Sequence, residues 1–149
     1  MALKNIQFKS LGNVGPKNCI IKDAVRIENF PNTRLSGPVI LNCTTSLSLA
    51  NWLEEIEARE VEHLGSYNCR KIHGTNIMSE HSYGTAIDLS KINDASVKAD
   101  WNKNTEKGKL LSNASRVACK YFSNIITPSS DAAHHDHFHF DNGYGRKCF

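Results

Sequence analysis

The run His134-His135-Asp136-His137-Phe138-His139-Phe140 constrains this chain more than any other stretch. From His137 onward imidazole and phenyl rings alternate, and residues two apart on a strand share a face. A strand here turns Phe138 and Phe140 into a core and leaves His137 and His139 together on the other side. Paired imidazoles on one face suit a divalent metal. Zinc takes imidazole nitrogens and a carboxylate, and a catalytic zinc site keeps three protein ligands with a fourth position for water.

The remaining ligands are found in Ser79-Glu80-His81-Ser82-Tyr83-Gly84-Thr85-Ala86-Ile87-Asp88-Leu89-Ser90. His81 and Asp88 are seven residues apart, which on one uninterrupted strand would place them on opposite sides. A bend at Tyr83-Gly84 removes that conflict, because glycine tolerates the backbone angles a bend requires. Asp88 then falls on a buried strand, where an unpaired carboxylate is costly and a metal is a natural partner. Alone, a histidine-dense tract also suits a solvated surface run, and a single His…Asp spacing also suits coincidence. Together they read as one site, with His81, Asp88 and one histidine of the late pair as ligands.

A chain of 149 residues makes one domain of ordinary size. Gly12, Gly15-Pro16, Pro31-Asn32 and Gly37-Pro38 punctuate the first forty residues, which read as strands and loops. Leu49, Leu53, Ile56 and Val61 predict a helix from about Ser46 to Leu64, with Gly65 as its stop and Trp52 in the core. A second helix is predicted over Lys107 to Phe122 from Leu110, Ala114, Val117, Ala118 and Tyr121. Two main helices on a small, mostly antiparallel sheet give an α+β domain, with the zinc site on the open face of the sheet.

The net charge of +3 is mild and fits ordinary solubility. No concentrated Arg/Lys stripe is present, which argues against nucleic-acid binding. No run of about 20 apolar residues suggests a transmembrane helix. Met1-Ala2-Leu3-Lys4-Asn5 has no signal-peptide core, so export implies a removed leader or a specialised route. Cys19, Cys43, Cys69, Cys119 and Cys148 are widely separated and contain no Cys-x-x-Cys pair. That spacing favours buried thiols or disulfides over a zinc ribbon, and the first pairing expected is Cys19–Cys43, both in the N-terminal half.

Ser-x-His-x-x-Gly-x-Ala-x-Asp followed by a late His-x-His resembles the zinc peptidoglycan peptidases of the D-alanyl-D-alanine carboxypeptidase and lysostaphin superfamily. Within it the chain is similar to the extensin-like C-terminal domain. Asn51-Trp52-Leu53, Gly65-Ser66-Tyr67-Asn68-Cys69-Arg70, Ala118-Cys119-Lys120-Tyr121-Phe122 and His134–Asp141 complete the match. The resemblance runs from about Cys43 to the end, so 43–149 is the motif-bearing core of a single domain over 1–149. Residues 1–42 contribute N-terminal strands and loops and match more weakly, through Cys19 and Asp23-Ala24-Val25-Arg26.

The resemblance implies Zn2+ held by His81, Asp88 and His139, and hydrolysis of D-amino-acid-containing bonds in peptidoglycan stem peptides or cross-links. Three residues compete as general base: His137 first, His134 second, and Asp136, which stands where carboxypeptidase-like members carry a glutamate. Arg70 matches an arginine aimed at the substrate carbonyl, where a guanidinium stabilises developing negative charge. Ser79 is expected to orient His81 by hydrogen bonding, Asp141 is a candidate partner for a ligand, and His63 and His73 read as surface or loop residues. A histidine base favours a DD-endopeptidase. A DD-carboxypeptidase and a non-catalytic zinc-containing wall-binding module are the alternatives. Similar domains look exported, which favours the periplasm or secretion, as a delivered effector or a lysin. An immunity protein or secretion-system carrier would then be a partner.

Overall fold

The computed structural model describes residues 5–148. Met1–Lys4, part of the N-terminus read above for a signal peptide, lie outside the described residues. The chain opens with an antiparallel meander of β1 (Lys9–Val14), β2 (Ile21–Phe30) and β3 (Thr33–Asn42). Thr33, Leu35, Val39 and Leu41 alternate inward along β3, the period of two that a half-buried strand requires. Asn42 ends that strand and caps α1 (Cys43–Glu55), its side chain accepting from the Thr45 N–H at 2.8 Å.

After α1 come β4 (Glu60–Gly65), β5 (Ala86–Ile92) and the short β6 (Ala95–Ser96). One helical turn, α2 (Val97–Asp100), precedes α3 (Glu106–Ala118), and β7 (Asn124–Ile126) and β8 (Phe138–Asp141) close the sheet. The described residues form a small mixed domain with an open eight-stranded sheet ordered β1-β2-β3-β4-β5-β8-β7, β6 pairing with β5. Only the β3–β4 pair is parallel. Both long helices join one core. The Trp52 indole donates to the Ala114 carbonyl at 2.8 Å and meets Phe140 edge-on, tying α1 to α3 and β8.

The first helix is shorter than its apolar spacing predicts. It ends at Glu55, and Val61 belongs to β4 rather than to a helix reaching Leu64. Glu57 takes a left-handed backbone (φ 54°), and the Ala58 N–H closes back on the Leu53 carbonyl at 3.0 Å. That is the bonding of a Schellman stop with glutamate where glycine is usual, so no residue type announced it. Val61 fits both periods, which made the extension plausible. In α3 the fully buried leucine is Leu111, one residue from the predicted Leu110.

The cysteine pairing also differs from expectation. The disulfides are Cys19–Cys69 and Cys119–Cys148, not Cys19–Cys43. Cys43 begins α1, whereas the Cys19 backbone meets the segment after β4, where the Tyr67 hydroxyl donates to the Cys19 carbonyl at 2.9 Å. Two disulfides are consistent with an oxidising, extracytoplasmic setting. No helix among the described residues is long and apolar enough to cross a membrane.

Candidate metal centre

Strand register brings the two motifs together. In the antiparallel β5–β8 pair Asp88 lies directly opposite His139, while Ile87 opposes Phe140 and Leu89 opposes Phe138. The two pairs flanking Asp88 and His139 are fully buried, so the apolar side sets the register and the polar pair faces the other way. His81 arrives from a 3-10 turn, Glu80–Tyr83, that stops at Gly84 (φ 66°). A Cβ at Gly84 would come within 2.7 Å of Ile21 and 3.1 Å of the Asn42 nitrogen, so both angle and space require glycine. This is the predicted bend.

His81, Asp88 and His139 place one ligand atom each within 4.8 Å of one another. Asp88 Oδ1 stands 3.2 Å from His81 Nε2 and 3.1 Å from His139 Nδ1. Ligands about 2.0–2.1 Å from a tetrahedral zinc are separated by roughly 3.3 Å. The two distances from Asp88 match that separation. His81 Nε2 carries the same message. It is buried and makes no hydrogen bond, although Asp88 Oδ1 lies close by. A buried imidazole nitrogen without a hydrogen bond is costly, and a metal ligand resolves the cost.

Each histidine ligand is oriented from its outer nitrogen. His81 Nδ1 donates to the Ser66 carbonyl at 2.6 Å, and His139 Nε2 donates to Asp141 Oδ2 at 2.7 Å. Outer partners of this kind fix tautomer and ring direction. Asp141 is itself held by the Asn124 amide (2.8 Å) and the Gly143 N–H (2.9 Å). Ser79 orients His81 less directly than expected: its hydroxyl accepts from the His81 backbone N–H at 3.3 Å and does not touch the ring.

Without metal the cluster is an ion-paired array. Burial pushes the Asp88 carboxyl up, but the His139 and His81 imidazoles beside it more than reverse this and hold it well below the usual range. Asp141 behaves alike: burial raises it, while hydrogen bonds from His139, Asn124 and Gly143 lower it on balance. Burial lowers the His139 imidazole, yet its bonds to Asp141 and Asp88 outweigh this and raise it to about 9. A raised histidine stabilises the fold fully below its unfolded value of 6.5 and loses that contribution as pH climbs through about 9. The metal-free protein should therefore melt highest between about pH 4 and 6.5 and progressively lower toward pH 9. A metal ion bound at His139 would displace that proton, so the metal-loaded protein should show the opposite trend over the same range. Thermal melts with and without a chelator across pH test both halves.

The other candidates flank the cluster. His137 lies one residue before β8, with Nε2 3.9 Å from Asp88 Oδ1 and Nδ1 2.8 Å from Asp136 Oδ1. Asp136 thus meets the back of His137, and its bond to that imidazole keeps its carboxyl low. His134 has its own carboxylate, Asp131, at 2.6 Å from Nδ1, and its ring centroid is 4.8 Å from that of His137 and 5.9 Å from that of His139. Arg70 is exposed, and its guanidinium bonds to no described residue. His73 is exposed in a turn, but His63 is not a loop residue: it lies in β4, its Nε2 2.8 Å from the Gly37 carbonyl.

Ser66, Asn124 and Asp131 were missed by sequence reasoning. Ser66 acts through its backbone carbonyl, which no residue type signals. Asp131 precedes His134 at the spacing of a cap, a pattern that was legible.

A compact α+β domain with two histidines and one carboxylate converging on the sheet face opposite its helices is the class this geometry defines. The chain belongs to the family described as Extensin-like protein C-terminus, whose model matches residues 2–148. No curated protein and no solved structure matches it.

Proposed function

We propose that this domain is a zinc-dependent peptidoglycan peptidase that hydrolyses D-amino-acid-containing peptide bonds, acting as a DD-endopeptidase on cross-links. The observation that carries the reading is the His81–Asp88–His139 triad with a carboxylate-backed imidazole, His137, at its edge. The superfamily resemblance of the two motifs supports it. Zinc bound there supplies a Lewis acid that acidifies water toward neutral pH and polarises the scissile carbonyl.

The chain's own residues supply proton transfer and orientation. His137 Nε2 takes the proton of the attacking water and returns it to the departing amine. Asp136 on Nδ1 holds the ring so that Nε2 faces the cluster. Asp131 does the same for His134, giving a second imidazole beside the first. Arg70, exposed on the segment before the His81 turn, is free to meet a substrate carbonyl and its developing charge.

A carboxypeptidase needs a closed end that grips a terminal carboxylate. The imidazole His137 at the edge of the cluster, backed by Asp136, resembles the histidine base of lysostaphin-like members, so the endopeptidase reading is preferred. The protein acts in the periplasm or outside the cell, as the disulfides suggest, and a delivered effector or lysin would meet an immunity protein or a carrier. The non-catalytic wall-binding reading keeps the metal but has no use for two buttressed histidines at its edge.

Purified peptidoglycan digested with and without a chelator, followed by mass analysis, tests the reading. Cross-linked muropeptide dimers should be converted to monomers only when metal is present. Release of D-Ala alone from pentapeptide monomers would make the enzyme a carboxypeptidase, and no cleavage at all would leave the binding module.

A further inference from the structure

We propose that the two disulfides are assembly elements of the metal site, each fixing the segment that orients one histidine ligand, so that metal affinity depends on their oxidation. The inference rests on the metal reading of His81, Asp88 and His139.

The first connection runs through Ser66. Residues 66–70 form no helix or strand, so contacts must hold their shape. On one side they clasp the His81 turn: the Asn68 N–H donates to the His81 carbonyl at 3.1 Å, and the Ser82 hydroxyl donates to the Arg70 carbonyl at 2.9 Å. On the other side stand the Cys19–Cys69 bridge and the bond from the Tyr67 hydroxyl to the Cys19 carbonyl. Gly15 closes this packing, since a Cβ there would fall 2.3 Å from the Cys19 oxygen and 2.6 Å from the Tyr67 hydroxyl. The Ser66 carbonyl that receives His81 Nδ1 is thus the end of a segment pinned covalently to the β1–β2 loop.

The second connection runs through Asn124. Its Nδ2 donates to Asp141 Oδ1 and to the Tyr144 carbonyl, and its Oδ1 accepts from the Lys147 N–H at 3.0 Å. The C-terminal residues therefore set the Asn124 amide, and Asp141 in turn sets His139 Nε2. Cys148, next to Lys147, is tied to Cys119 at the end of α3. Both bridges lie behind the partner of an outer imidazole nitrogen, one for each ligand histidine. Loss of such partners weakens metal affinity about 10–100-fold; here the partner stays but loosens, which favours the lower end. In a thiol-reducing compartment the site would bind metal poorly and would mature on entering an oxidising one.

Zinc affinity, measured by competition with a chromogenic chelator, tests this on folded protein checked by circular dichroism. Cys19→Ser/Cys69→Ser and Cys119→Ser/Cys148→Ser should each weaken zinc binding by about tenfold. Asn124→Ala should weaken it similarly in the oxidised protein and add little in the Cys119→Ser/Cys148→Ser background, because both act through Asp141. Affinities within twofold of the wild type, or full additivity with Asn124→Ala, would overturn the proposal. Should a serine variant not fold, the wild type opened with a water-soluble phosphine and alkylated at its thiols, which would otherwise bind zinc, gives the combined loss of both bridges. The S–S bond then breaks, each sulfur gains a hydrogen, and phosphorus takes the oxygen of one water. Failure of the oxidised wild type to bind zinc would instead sink the metal reading itself.

Discussion

His139→Ala should leave the protein without bound zinc and without peptidase turnover. The wild type should hold about one zinc per chain, as a three-ligand catalytic site does. His139 offers Nδ1 to the cluster and is the only ligand histidine whose outer nitrogen rests on a carboxylate. Truncating it removes one ligand of three and strips Asp88 and Asp141 of the group between them. Asp141 keeps Asn124 and Gly143, whereas Asp88 is left with His81 and the more distant His137, so apo stability should fall as well. Atomic emission for metal, circular dichroism for fold and muropeptide analysis for activity separate these effects. A folded His139→Ala protein with full zinc and undiminished cutting would refute the ligand assignment.

The parts of the site that sequence made legible are those dictated by period and residue type. Phe138 and Phe140 had to be buried together, which fixed the face of His139, and Gly84 had to mark a bend, which released His81 from strand parity. Register followed from the same apolar pairs, since a slip of β8 by one residue would bury His139 and expose Phe138 and Phe140. What escaped was chemistry carried by backbone or by unusual conformers. Glu57 ends α1 in a left-handed conformation that glycine would have advertised, and Ser66 serves through a carbonyl. The cysteine pairing escaped for a further reason: which segment approaches Cys19 depends on the β1–β2 loop meeting the residues after β4, a contact between segments 50 residues apart.

The second large effect concerns His137. His137→Ala should keep its zinc, since none of the three ligand atoms comes from it, yet lose at least ~10²-fold in turnover, the usual scale for a general acid–base residue. Asp136 tests the same role from behind. Its carboxylate meets His137 Nδ1 rather than the cluster, so Asp136→Asn should lower turnover less than His137→Ala and leave metal content intact. If Asp136 were instead the base, the order would reverse. Asp136→Ala would then abolish turnover with zinc retained, while His137→Ala would remain active. Proton transfer needs the base within hydrogen-bond reach of the water it deprotonates. His137 Nε2, 3.9 Å from a ligand oxygen, is poised for that reach, while the nearer Asp136 oxygen is occupied by the far side of the same ring. Comparing the two variants at equal zinc occupancy therefore decides which of two adjacent residues handles the proton.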